Sequence, residues 1–409
     1  MNGRRESDRS VVPKEKKRPS NDTTAGAMGK ETAQGRDLAA GNAGQHDAPQ
    51  TQSWSSAHSG LARVREVARE DMGAKFTALL HHVTVDALRT AFKQLNKKAA
   101  SGIDGVTWQQ YEAGLEENLQ SLHAWLHCGT YRAKASRRVN IPKADGRLRP
   151  LGVAALEDKI AQRALVEVMN AIYEEDFFGF SYGFRRGRSQ HDALDALATA
   201  IQRKKVNWVL DADIRGYFDA IDHERLMQLV GHRIADRRVL RLIQKWLKAG
   251  VMEDGRWTES EEGTPQGATL SPLLANIYLH FVLDRWLHEW RTRRARGEVV
   301  VVRYADDFIV GFQYQTDAEA FLGELRERLR DFALELHPEK TRLIEFGRYA
   351  VERRRKRRLG KPETFDFLGF THLCAESREG DFQLARRTMK DRLRKKLHEV
   401  KESLRQRQH

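Results

Sequence analysis

The stretch VVVVRYADDFIVGF, residues 299–312, constrains the fold more than any other part of the chain. Residues 299–302 and 308–312 are strongly apolar and β-prone, and only a short interval separates them. Two such runs predict a pair of strands joined by a tight connection, with Asp306 and Asp307 at that connection. Like charges held side by side in an apolar frame repel each other and lose solvation. A divalent cation is the usual compensation. The plainer alternative is a solvated hairpin turn, since Asp is a common turn residue.

A chain of 409 residues has room for two or three domains. Lys and Arg total 71 against 57 Asp and Glu, a net charge of +14 that favours a polyanionic partner. No apolar run approaches the roughly 18–20 residues needed to span a bilayer. The first twenty residues carry no apolar signal core. Cys128 and Cys374 form neither a disulfide framework nor a metal cluster. These features predict a soluble, cytosolic, basic protein with no membrane partner.

Residues 1–60 are poor in large apolar side chains and rich in Gly, Ser, Thr, Asn and Gln, so disorder is expected there. Phe76, Leu79, Leu80 and Val83 share one helical face, Leu88, Phe92 and Leu95 the next, and Leu115, Leu119, Leu122 and Leu126 a third. Between the last two sets lies the Gly-punctuated loop KKAASGIDGVT. From Val139 to Phe370 helical and extended segments interleave, the pattern of an α+β domain. ERRRKRRLGKP then reads as a charged loop, followed by the apolar segment FDFLGFTHL. A basic amphipathic helix over about 386–405 carries Leu393, Leu397, Val400 and Leu404.

Three further stretches carry chemistry. In NWVLDADIRGYFDAID, alternation puts Asp211 and Asp213 on one face of a strand, with Asp219 and Asp222 as competitors. Periodicity does not choose among the four, and each could serve as a salt-bridge partner or helix cap. In EEGTPQGATLSPLLANIYL, Gly263 and Gly267 flank Pro265 and Gln266 in a loop that lets backbone approach a flat ligand closely. Ser271 suits a helix N-cap with Pro272 at the first helical position. In RVNIPKADGRLRPLG, Lys143 and Arg149 flank a turn between extended segments, where two cations could grip a triphosphate or merely sit in solvent.

Taken in order, SYGFRRGRSQHDAL, DADIRGYFD, GTPQGATLSPLLANIYL, YADD and FDFLGFTH, with RPLGVAALEDKIAQRAL ahead of them, resemble the motifs of reverse transcriptases. In detail they resemble the group II intron-encoded reverse transcriptase/maturases of bacteria, and SGIDGVT resembles that family's additional N-terminal motif. The resemblance covers about residues 75–390. It implies a right-hand polymerase, with fingers and palm around a small antiparallel sheet. Its divisions would be a tail over 1–60, an N-terminal helical extension over 61–130, fingers and palm over 131–372, and a partial thumb over 373–409.

The resemblance also implies roles. Asp213, Asp306 and Asp307 would hold two Mg²⁺ ions, one activating the primer 3′-hydroxyl and the other stabilising the leaving pyrophosphate. Phe218 would lie under the incoming sugar and exclude a 2′-hydroxyl, so the product would be DNA. Lys143, Arg149, Gln266 and Lys340 would contact the dNTP. Arg185, Arg186 and Arg188 would follow the template, and Phe367, Leu368 and Gly369 would support the DNA primer. For residues 353–358 a solvated loop or contacts to RNA phosphates are expected. The partners implied are RNA template or intron RNA, DNA primer and dNTPs, in a bacterial cytoplasm and at the nucleoid when acting on DNA.

Only 39 residues follow FLGF, whereas members of the family usually continue into a full thumb, a maturase region and, in some, an endonuclease with paired cysteines. The expectation is a chain with a short thumb and without the latter two. A non-enzymatic intron RNA-binding splicing cofactor and an inactive truncated copy stand as alternatives.

Overall fold

The computed structural model describes residues 58–142, 148–253, 255–259, 262–264 and 267–407. The chain begins with α1 (His58–Glu70), α2 (Val85–Lys93), α3 (Trp108–Ala113), α4 (Leu115–Cys128), β1 (Ser136–Pro142), β2 (Leu148–Val153), α5 (Leu156–Asp176) and α6 (Gln190–Arg203). There follow β3 (Trp208–Asp213), α7 (His223–Val230), α8 (Arg237–Leu247), β4 (Val251–Glu253), β5 (Arg256–Thr258), α9 (Ser271–Leu279) and α10 (Arg285–Arg293). The last part holds β6 (Val299–Tyr304), β7 (Asp307–Phe312), α11 (Gln315–Arg330), β8 (Arg342–Glu345), α12 (Arg348–Lys356), β9 (Phe365–Phe367), β10 (Phe370–Glu376), β11 (Phe382–Thr388) and α13 (Lys390–Arg407). The mixture of helices and largely antiparallel sheets is α+β, as the alternation of patterns predicts.

The described residues form two compact units, each discontiguous in sequence. One comprises 58–177 and 216–285. Its sheet runs β2-β1-β4-β5, and α1 and α2 pack against α5. Helix α5 buries apolar positions all along its length, from Leu156 to Tyr173, which explains why its sequence shows no clean polar face.

The other unit comprises 178–215 and 286–407 and holds two sheets, β6-β7-β3-β8 and β11-β10-β9. They share one core with α6: Leu194, Leu197 and Ile201 meet Val209, Val302, Ile309 and Ile344 of the first sheet, and Phe365, Phe367 and Leu384 of the second. Strands β6 and β7 pair antiparallel with Tyr304 opposite Asp307, so the expected hairpin is present with Ala305 and Asp306 as its two-residue turn. Both faces of this sheet are covered, which is why its strands read as continuous Val and Ile runs rather than alternation.

Four sequence expectations change. Residues 76–83 are not an α-helix, and only Leu80–His82 makes a 3-10 turn. Phe76 instead exchanges backbone hydrogen bonds with Arg233 and Ala235, and the amides of Leu79 and Leu80 donate to the Asp236 carboxylate. The donors a helix would need are thus taken from outside, although Leu79, Leu80 and Val83 are buried as the spacing requires. Ser271 is the first residue of α9 rather than its cap, which is Leu270. The charged stretch after Gly347 is in its first half helix α12, because Arg353 and Arg354 pair with the buried Glu345. The terminal helix starts at Lys390 rather than near Arg386, because 382–388 pair with β10 as β11.

Among the described residues, no helix is long and apolar enough to cross a membrane. The stripe Leu393, Leu397, Val400 and Leu404 on α13 is exposed.

Candidate catalytic site

The register of the sheet brings the acids together. Strand β3 pairs antiparallel with β7, which places Asp213 directly opposite Asp307. Asp306 occupies the adjoining turn. One carboxylate oxygen from each of Asp213, Asp306 and Asp307 lies within 4.8 Å of the others, and all three residues are half-buried. An all-carboxylate oxygen set of this kind suits a hard divalent cation such as Mg²⁺.

The competing acids have other duties. Asp211 shares a face with Asp213 but lies opposite Ile309, deeper in the sheet, and ion-pairs with Arg342 at 3.7 Å. Burial pushes its carboxyl up to about 7 against the pull of Arg342, with Asp307 adding to the rise. Asp222 caps α7, accepting from the Arg225 amide at 2.6 Å. Asp219 ends a 3-10 turn, Tyr217–Asp219, in the other unit.

Lys340 stands beside the acids. Its Nζ donates to Asp213 Oδ2 at 2.5 Å, from a loop anchored where the His337 amide donates to the Asp213 carbonyl. Sequence matching assigns this lysine to the triphosphate. The structure puts its ammonium directly on a carboxylate of the acid cluster.

The other expected nucleotide contacts belong to the other unit. Lys143 and Gln266 lie outside the described residues, and so does the side chain of Arg149, whose backbone belongs to β2. Their surroundings are described. The loop carrying Gly263 is strapped to the turn carrying Phe218: the Thr264 amide donates to the Phe218 carbonyl and the Gly263 amide to that of Ile221, both at 2.8 Å. Gly263 has φ +80°, and a Cβ there would approach Asp219 Cα to 3.1 Å. Gly267 packs so closely on β2 that a Cβ would stand 2.9 Å from the Gly152 carbonyl oxygen. Phe218, the segments flanking Gln266 and the strand of Arg149 thus meet within one unit.

The arginines of the SYGFRRGRS segment separate. Arg185 is buried and donates to the carbonyls of Phe178 and Ser181. Arg188 donates to the carbonyls of Gly179 and Ser181 and lies over the Tyr182 ring. These two staple their own loop. Arg186 is exposed. Phe367 and Leu368 are buried in the shared core, and Leu368 and Gly369 form the β9–β10 turn.

Sequence reasoning passed over Arg303, which is 1% exposed and packs beside the acid-bearing turn. The visible signal was a cation inside an otherwise apolar strand run.

A family model described as reverse transcriptase (RNA-dependent DNA polymerase) matches residues 141–372. The chain belongs to the reverse transcriptase family. Protein YkfC of Escherichia coli (strain K12) is 35% identical over 317 residues, which are 69% of this chain and 78% of that protein. Group II intron-encoded protein LtrA of Lactococcus lactis subsp. cremoris is 35% identical over 229 residues, 56% of this reverse transcriptase and 38% of LtrA. An uncharacterized 91 kDa protein in the cob intron of Schizosaccharomyces pombe is 44% identical over 156 residues, 38% of this chain and 19% of that one. These relatives group the reverse transcriptase with the group II intron-encoded proteins, although it spans well under half the length of the latter two.

Proposed function

We propose that this reverse transcriptase is an RNA-directed DNA polymerase of group II intron type, extending a DNA primer on an RNA template in support of intron splicing and mobility. The observation that carries the reading is the convergence of Asp213, Asp306 and Asp307, from two strands and one turn, to within 4.8 Å. Two Mg²⁺ ions held there would make the primer 3′-hydroxyl a better nucleophile and offset the charge on the leaving pyrophosphate.

The chain's own groups supply the rest. Lys340, whose Nζ donates to Asp213 Oδ2, would meet the phosphate oxygens that cations held by the same acids would draw in. Lys143, Arg149 and Gln266 bind and orient the incoming dNTP. The ring of Phe218, on its strapped turn, excludes a 2′-hydroxyl by bulk and so selects deoxynucleotides. Arg186 on the template segment, Arg355 in the last turn of α12, and Arg357 and Arg358 just beyond it are exposed and would meet RNA phosphates. Binding through many such contacts should weaken steeply between about 50 and 200 mM salt.

The deciding experiment is primer extension on an RNA template with dNTPs and Mg²⁺, comparing wild type with Asp306→Ala. Extension by the wild type and a loss of about a thousandfold or more in the variant is expected. A folded wild type that binds RNA but never extends, with RNA binding intact in Asp306→Ala, would leave the non-enzymatic splicing cofactor as the better reading.

A further inference from the structure

The acid-bearing turn has a brace behind it. Arg303, in β6, is fully buried, and its guanidinium forks: one nitrogen donates to the Ala305 carbonyl at 2.9 Å and another to Ser181 Oγ at 2.7 Å. Its backbone is tied to the same neighbour, because the Arg303 amide donates to the Phe180 carbonyl and the Tyr182 amide donates to the Arg303 carbonyl. Ser181 and Arg303 therefore form a short parallel bridge beside the hairpin. Gly183, two residues on, backs so closely onto Ala305 that a Cβ there would overlap the Ala305 amide nitrogen.

These contacts bear on one peptide plane. Ala305 sits at φ +57°, a left-handed conformation that costs a non-glycine residue about 1–2 kcal/mol. Its carbonyl belongs to the peptide that leads into Asp306. Three carboxylates gathered this closely repel, and an unbraced turn would relax by swinging Asp306 away. We infer that Arg303, working with Ser181 and Gly183, is a positioning residue that presets the Asp306 carboxylate for its cation. This rests on the polymerase reading of the three-acid cluster as a cation site. A lysine would keep the buried charge but could not reach both oxygens at once, since the two-point grip needs a planar fork.

The test is made on the full chain. Mn²⁺ binding is followed by the free-ion electron paramagnetic resonance signal for wild type, Arg303→Lys and Ser181→Ala, alongside the Mg²⁺ dependence of primer extension. Arg233→Lys, altering a buried arginine of the other unit that ion-pairs with Asp176, controls for general destabilisation. Loss of supporting hydrogen bonds around metal ligands typically weakens metal affinity by about 10–100-fold. Arg303→Lys should fall about tenfold, at the lower end of that range, and Ser181→Ala should lose less. Arg233→Lys should lower the melting temperature and leave Mn²⁺ affinity unchanged. Wild-type Mn²⁺ affinity in folded Arg303→Lys overturns the inference. If that variant does not fold, wild-type affinity in Ser181→Ala overturns it. A wild type that binds Mn²⁺ but extends no primer would sink the polymerase reading and leave the brace to be judged on Mn²⁺ binding.

Discussion

Two tight hairpins in the same unit solve one conformational problem in different ways. The β6–β7 turn, Ala305 and Asp306, and the β9–β10 turn, Leu368 and Gly369, each join antiparallel strands through two residues. Each places an L-residue at positive φ in its first position, Ala305 at 57° and Leu368 at 50°, where hairpins favour Gly, Asn or Asp. Leu368 is held by burial among Phe365, Phe367 and Leu384. Ala305 is held by the Arg303 guanidinium on its carbonyl and by the Gly183 backbone behind its amide. Packing stabilises a turn by shape and leaves its peptide planes some freedom. A hydrogen bond from a buried fork sets one plane, which would suit a turn that presents a metal ligand.

The comparison breaks most visibly at Gly183. In Gly183→Ala the new Cβ meets backbone atoms on the hairpin side, including the Tyr304 carbonyl carbon at 2.9 Å, and neither segment has a flexible end that can give way. The hairpin must shift, and a displacement near 1 Å at a reacting centre costs about a hundredfold in rate. Primer extension per folded molecule is expected to fall by that factor, with thermal stability falling less. Activity near wild type would mean that the turn is not seated on this segment.

The second hairpin fails under acid instead. His372 pairs across from Phe365 and stacks on its ring at 4.8 Å. Burial, reinforced by Arg386 and opposed by the Phe370 backbone, Asp366 and the Phe365 backbone, lowers its pKa from 6.5 to about 4. Between those values the unfolded chain binds the extra proton, so stability is present above pH 6.5 and lost as pH falls toward 4. The loss amounts to about 3 kcal/mol. Asp158 and Asp176, both raised to about 6 chiefly by burial, act with the opposite sign over part of that range. Urea unfolding of wild type against His372→Leu from pH 4 to 7 isolates the histidine, and parallel curves would refute the assignment.

What the sequence reveals about these hairpins follows from the range of the forces involved. The acid-bearing hairpin is legible because its strands are continuous apolar runs and its acids are adjacent. The choice of Asp213 over Asp211 is not legible from periodicity, since both share a face. The β3–β7 register puts Asp213 rather than Asp211 opposite Asp307, and the motif resemblance points to the same residue. Strands β10 and β11 escape notice because their inward residues are a mixed set, Phe370, His372, Cys374, Phe382 and Leu384, rather than a clean apolar alternation. Helix α12 hides in an arginine run because the acid that organises it, Glu345, lies ahead of the run on another element. The Arg303 brace joins residues 122 positions apart, and no local pattern announces such a contact.

Gly369→Ala offers a gentler contrast with Gly183→Ala. Gly369 has φ +85°, so any side chain there is strained. The group a Cβ would meet is the Arg392 guanidinium, the far end of a long side chain rather than backbone. The expected cost is about 1–2 kcal/mol of stability, with extension within about fivefold of wild type. An activity loss matching that of Gly183→Ala would show that the two turns are held by the same means.

Ala305→Gly should produce the smallest effect and the sharpest reading of the first turn. Glycine relieves a left-handed strain of about 1–2 kcal/mol but gives the unfolded chain more freedom, at about 0.5–1 kcal/mol. The two terms nearly offset, so net stability should move by less than about 1 kcal/mol. Activity should also hold, because the Arg303 bond is made to the Ala305 carbonyl, which glycine retains. The measurement is Mn²⁺ affinity together with extension rate at matched folded fraction. If glycine loosened Mn²⁺ binding while Arg303 remained in place, the methyl group of Ala305 would be part of what orients Asp306. The grip on the carbonyl would then not be sufficient by itself to hold the turn.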